Sequence, residues 1–231
     1  MPLVDVHRIL TSKRNIMFSF AEHYLFQKAN IQRTEILNTR ENFIKVIRFC
    51  INQRQRQVND QRENAINYFK FHFTAIRKAI NQGDWESLKN MIYNNHRNRE
   101  YMIANQLHPP IGVGQKIGSF ILEVLIHYGE NNPALESKLF VPIDTHVHHI
   151  LSECLGIDNI PWIDTNIASQ SFIDFQENLR ANIYDSNPRI YFDYLWFVGK
   201  IFCTQREYGN GFRLCNICWI KEHCVYANKW F

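Results

Sequence analysis

The chain has 231 residues, a formal net charge of +4, 45% hydrophobic residues and 21% charged ones. That balance excludes a disordered chain, and no apolar run approaches the ~20 residues of a membrane-spanning helix. The charge is too small to imply nucleic-acid binding by itself, which would need the basic residues gathered on one face.

In chain order, apolar residues recur at three- and four-residue steps over 15–28, 40–52, 61–82, 85–93, 98–106, 116–127, 145–155, 169–183 and 188–203, which predicts an all-α protein. No internal repeat or low-complexity tract interrupts this pattern. Between the second and third stretches lies the polar run Gln53-Arg54-Gln55-Arg56-Gln57. It reads either as a solvated helix connection or as a surface that touches nucleic acid.

The sixth stretch is introduced by Pro109-Pro110-Ile111-Gly112-Val113-Gly114-Gln115-Lys116. Gly112 and Gly114 permit a tight turn between two helices, since glycine takes positive φ and sets no side chain between backbone and ligand. The helix that follows offers unpaired N–H groups and a positive dipole end, which suit a phosphate oxygen. Such a turn serves packing as readily as phosphate binding. Ile117, Phe120, Ile121, Val124 and Leu125 form the expected buried stripe, with Lys116 in the first turn. A lysine there acts as a counter-charge, or as a nucleophile if partial burial and the helix end keep some of it neutral near pH 7.

Further along, the β-prone run 139–143 leads to Asp144 and an apparent helix through Val147, Ile150 and Leu151. Asp144 reads first as a helix N-cap. Capping also aims the carboxylate, so the same residue can stabilise positive charge on a sugar or help deprotonate an attacking amine. The neighbouring His146, His148 and His149 could hold a metal, but packing is the favoured reading. Trp162, Trp196, Phe197, Trp219 and Trp230 are expected in the core or around a cofactor.

Near the C-terminus the cysteines Cys203, Cys215, Cys218 and Cys224 form the pattern C-x11-C-x2-C-x5-C. The C-x2-C pair brings two thiolates to one centre, and soft sulfur favours an iron–sulfur cluster or zinc, the latter with His223 as a possible substitute ligand. The first residues carry no signal-peptide core, so these cysteines read as metal ligands and not as a disulfide framework. Cys50 and Cys154 lie in apolar helical contexts and read as small buried residues.

Taken together, Gly112-Val113-Gly114-Gln115-Lys116 and Val141-Pro142-Ile143-Asp144-Thr145-His146-Val147 resemble the helix-hairpin-helix and Gly/Pro-Asp signature of the HhH-GPD superfamily of DNA glycosylases, in particular its bifunctional, lysine-containing members. The C-terminal cysteines resemble the C-x6-C-x2-C-x5-C loop of endonuclease III-like enzymes, with the first interval widened. The connection from Lys116 to Asp144 is also longer than in familiar members, through 128–139.

The resemblance implies two helical lobes flanking a DNA-binding cleft: a barrel over 38–128, and 1–37 with 129–231 as the second lobe bearing a C-terminal [4Fe–4S] loop, zinc being the alternative cofactor. It implies that Lys116 forms a Schiff base with the sugar and that Asp144 assists. Gly112, Val113 and Gly114 would hold phosphate. Gln53, with Gln55 second, would fill the gap left by an extruded nucleotide, and Arg54 would contact phosphate. The expected partner is double-stranded DNA carrying a damaged base or an abasic site, bound by a monomer in a cytoplasmic, nucleoid-associated or nuclear setting. The activity implied is that of a DNA glycosylase/AP lyase of base excision repair, with an 8-oxoguanine-type glycosylase or a non-catalytic helix-hairpin-helix DNA-binding protein as alternatives.

Overall fold

A computed structural model describes residues 2–13, 35–52, 59–93, 113–130, 132–161, 167–182, 188–203 and 214–230. The described residues are mostly helical and contain no strand, as the sequence periodicity predicts. None of the helices is long and apolar enough to cross a membrane. The chain divides into two compact units, Glu22–Leu139 and the pair of segments Met1–Ala21 and Phe140–Phe231.

The middle unit is built on α2 (Arg40–Asn52), α3 (Asn59–Gln82), α4 (Trp85–Tyr93) and α5 (Gln115–Glu123), the last continuing as a π-helical segment, Val124–Glu130. Thr39 starts α2 by accepting the Asn42 N–H at 3.1 Å, and Phe43, Val46, Ile47, Cys50 and Ile51 form its buried face. α3 ends at Gly83, whose φ of +67° is the left-handed conformation glycine adopts without penalty. Asp84 then caps α4 through the Ser87 N–H at 3.0 Å. α4 meets α5 at Gly118, where a Cβ would lie 2.9 Å from the Tyr93 ring, while Tyr93 Oη and Ser119 Oγ share a buried hydrogen bond of 2.7 Å.

Of the predicted α5 stripe, Ile117, Ile121, Val124 and Leu125 are buried. Phe120 is half-buried and packs on Phe49 at 6.3 Å between ring centres. The connection after α5 contains a short helix, α6 (Pro133–Glu136), with Asn132 as its N-cap and Pro133 at its first position. His127 Nδ1 lies 3.0 Å from Glu136 Oε1, a buried pair that ties this connection to the middle unit. The middle unit accordingly runs to Leu139.

The second unit contains α1 (Pro2–Ser12), a helix that the periodicity does not mark, and α7 (Thr145–His149), α8 (Gln170–Asn182), α9 (Pro188–Val198) and α10 (Val225–Trp230). π-Helical segments extend α7 through Ile150–Cys154 and α9 through Gly199–Cys203. Helices expected over 15–28 and 98–106 lie outside the described residues.

The β-prone run before Asp144 is extended and buried but pairs with no strand. A glutamine side chain takes the partner's place: the Val141 N–H donates to Gln176 Oε1 at 2.9 Å and Gln176 Nε2 donates to the Val141 carbonyl at 2.7 Å. Gln176 is itself buried on α8. Replacing it by leucine leaves both Val141 groups unpaired in the interior, so Gln176→Leu is expected to cost about 2–4 kcal/mol. Urea denaturation checks this, and an unchanged midpoint would show that the clamp contributes nothing.

Candidate active site and metal centre

Lys116 and Asp144 belong to different units, and each is placed by its own surroundings. Gly114 is the N-cap of α5, with φ −82° and ψ −173° and no side-chain cap. Its φ is negative and a Cβ there would meet nothing within 4 Å, so neither conformation nor crowding demands glycine at 114. What glycine provides at this position is open space in front of the helix start. Val113 is buried beneath it, and Gly112 lies outside the described residues. Lys116 is exposed in the first turn. The partial burial expected from the sequence is therefore corrected: its neighbours Ile117 and Gly118 take the buried side, and the lysine points away from them.

Asp144 is 5% exposed and caps α7. Its Oδ1 accepts the His146 N–H at 3.0 Å and the Val147 N–H at 2.9 Å, and its carbonyl accepts the His148 N–H at 2.8 Å. Both side-chain bonds fall on one oxygen, which fixes the carboxylate plane at a positive helix end.

α7 is held in turn by α9. A Cβ on Gly199 would stand 2.8 Å from His146 Cβ and 3.2 Å from its carbonyl oxygen, closer than side chains approach one another. His146 also meets the Trp196 ring edge-on at 6.0 Å. Two turns along α7, and four residues along the chain from Gly199, the same pair of helices carries Cys154 and Cys203.

Cys203, Cys215, Cys218 and Cys224 line a single small cavity, and Cys154 lines it with them. Hydrogen bonding with Cys203 and Cys224, followed by burial, pushes the Cys154 thiol up. The Cys154 contact pulls Cys224 down to about 6 against the opposing effect of burial, assisted by the N–H groups of Ala227 and Tyr226. Burial pushes the Cys218 thiol up to about 12.

His149 Nε2 lies 3.9 Å from Cys154 Sγ, and the ligand atoms of His149, Cys154 and Cys203 all fall within 4.8 Å of one another. This group could hold a metal ion. The sequence reading of Cys154 as a merely buried residue, and of His149 as a packing residue, misses it. Trp219 stacks on Phe197 at 5.4 Å with an interplanar angle of 15°, which fits the shielding role expected of it. His223 sits on the turn Lys221–His223, but the imidazole grouped with the sulfurs is that of His149.

Gln53, Arg54 and Gln55 lie outside the described residues. No family model matches the chain, and no curated protein or solved structure matches it.

The cap geometry separates two roles of Asp144. Asp144→Ala removes both N–H bonds and is expected to cost about 1–2 kcal/mol, whereas Asp144→Asn keeps an acceptor oxygen and should retain most of that stability. Thermal or urea unfolding of the two variants measures the difference. Equal losses for both would mean that the charge, and not the hydrogen bonds, holds the helix.

Proposed function

We propose that this chain is a bifunctional DNA glycosylase/AP lyase that removes a damaged, oxidised base from duplex DNA in base excision repair. The observation that carries the reading is the state of Asp144, a buried carboxylate aimed by two backbone N–H groups, in a chain where Gly114 caps a helix whose first turn carries the exposed Lys116. A carboxylate held this way needs no reorganisation when positive charge develops on a sugar beside it.

In the reaction the free amine of Lys116 donates its lone pair to the anomeric carbon as the bond to the base breaks. The base leaves with the bonding electrons and takes a proton from solvent or a neighbouring acid. The lysine then loses a proton and the opened sugar carries an imine, which makes the adjacent carbon acidic. Loss of that proton expels the 3′ phosphate and cuts the strand by β-elimination. Water finally hydrolyses the imine and frees the lysine. Asp144 supports the charge in the first step and accepts the proton that the lysine nitrogen loses once it has bonded to the sugar.

The proposed substrate is duplex DNA, from which the base must be extruded to be reached; Gln53, with Gln55 second, would fill the gap, and Arg54 would contact phosphate. Two lesion classes fit the resemblance: oxidised pyrimidines on the strength of the cysteine pattern, and 8-oxoguanine on that of Val141-Pro142-Ile143-Asp144-Thr145-His146-Val147. None of these steps uses redox chemistry, so a metal centre here would be structural or DNA-sensing and not catalytic. The C-x2-C-x5-C spacing supports a [4Fe–4S] cluster on Cys203, Cys215, Cys218 and Cys224, with zinc as the alternative.

Lys116→Ala is expected to abolish nicking of abasic duplex DNA while changing duplex affinity less than about threefold, since only a free amine yields the imine. Asp144→Asn should slow base excision by ~10²-fold. A gel assay on duplexes carrying different lesions measures both. Nicking undiminished in Lys116→Ala would remove the lysine from the reaction, and a wild-type chain that binds but never cuts would favour the non-catalytic DNA-binding reading.

A further inference from the structure

The cysteine spacing near the C-terminus points to a cluster held by one loop, but the side chains around the cavity are arranged differently. Cys154 comes from the π-helical extension of α7, far from that loop in sequence, yet it lines the cavity with all four of its cysteines, and its sulfur lies within 4.8 Å of that of Cys203. A cubane carries its thiolates on outer corners and fills the middle with iron and sulfide. Here a fifth thiol lies within 4.8 Å of Cys203, one of the four that would have to stand apart.

The helix geometry explains how His149 and Cys154 come together. Five residues apart, they would diverge on a regular α-helix, which repeats at about 3.6 residues per turn. Ile150–Cys154 is π-helical, with the Leu155 N–H bonded to the Ile150 carbonyl at 2.9 Å. In that winding, residues five apart stand one above the other. His149 Nε2 and Cys154 Sγ are accordingly 3.9 Å apart, and Cys203 Sγ lies within 4.8 Å of both.

Around one tetrahedral zinc, with bonds of about 2.3 Å to sulfur and about 2.0–2.1 Å to nitrogen, neighbouring ligand atoms sit roughly 3.5–4 Å from each other. The observed spacing is close to that. Cys224 lines the same cavity and supplies the fourth position, its sulfur accepting the Ala227 N–H at 3.4 Å. Such a bond to a ligating sulfur is what an outer-shell partner provides.

We propose that the metal centre is a single tetrahedral zinc-class ion held by His149, Cys154, Cys203 and Cys224, so that the ion joins the helix begun by Asp144 to α9 and to the C-terminal segment. On binding, the three thiols become thiolates and any protons they carry pass to solvent. Cys215 and Cys218 wall the cavity without ligating. The centre does not depend on the glycosylase reading, and its test uses no DNA.

The experiment is metal analysis and X-ray absorption on full-length protein purified from medium containing both zinc and iron. About one zinc per chain with three sulfurs and one nitrogen in the first shell is expected. Cys154→Ser should lower zinc content at least tenfold, while Cys215→Ser, Cys218→Ser and the control Cys50→Ser should keep it. Should Cys154→Ser fail to fold, the first shell of the wild-type protein decides alone. A four-sulfur shell, iron with iron–iron scattering, absence of bound metal, or zinc retained in Cys154→Ser and lost in Cys218→Ser would each overturn the proposal.

Discussion

The close approach of Gly199 to His146 governs the unit that holds Asp144. With hydrogen in place of a side chain at 199, α9 can lie against the first turn of α7, and a methyl group there would meet His146 Cβ at 2.8 Å. That contact holds the turn whose N–H groups fix the Asp144 carboxylate. It also sets the course of both helices towards Cys154 and Cys203, so one crossing positions a candidate catalytic carboxylate at one end and a sulfur-rich group at the other. The Gln176 clamp on Val141 acts from the opposite side of Asp144 and holds the chain entering α7. Overpacking at such a crossing typically costs about 1–3 kcal/mol, which makes residue 199 intolerant of any larger side chain.

Much of the fold was legible in the sequence. The three- and four-residue recurrence of Phe43, Val46, Ile47, Cys50 and Ile51, and of Ile117, Ile121, Val124 and Leu125, marks helices and their buried faces because a single period of burial explains them. Asp144 as an N-cap was equally readable, since an aspartate ahead of an apolar helical stripe has a local partner in the helix N–H groups. What could not be read were features made by distant residues. Nothing near Val141 shows that Gln176 would replace a strand, and nothing near Pro133 shows that His127 and Glu136 would draw the connection into the middle unit.

The thiol group escaped the sequence for a more specific reason. A search for metal ligands looks for short cysteine intervals or for i, i+4 pairs on an α-helix, and His149 with Cys154 is neither. The pair converges because the helix winds loosely at Ile150–Cys154, a local change that a period of about 3.6 residues cannot reveal. A π-helical segment inside a helix is a recurrent mark of functional sites, and the one at Gly199–Cys203 brings Cys203 into the same group.

The glycosylase reading joins an exposed first-turn lysine to a preorganised carboxylate, and its chemistry leaves a covalent trace. The decisive measurement is borohydride reduction of the wild-type protein mixed with duplex DNA containing an abasic site, followed by proteolysis and mass-spectrometric mapping of the sugar-modified peptide. The account predicts one major adduct, on Lys116. An adduct on a different amine, or none under conditions in which the strand is cut, would contradict it.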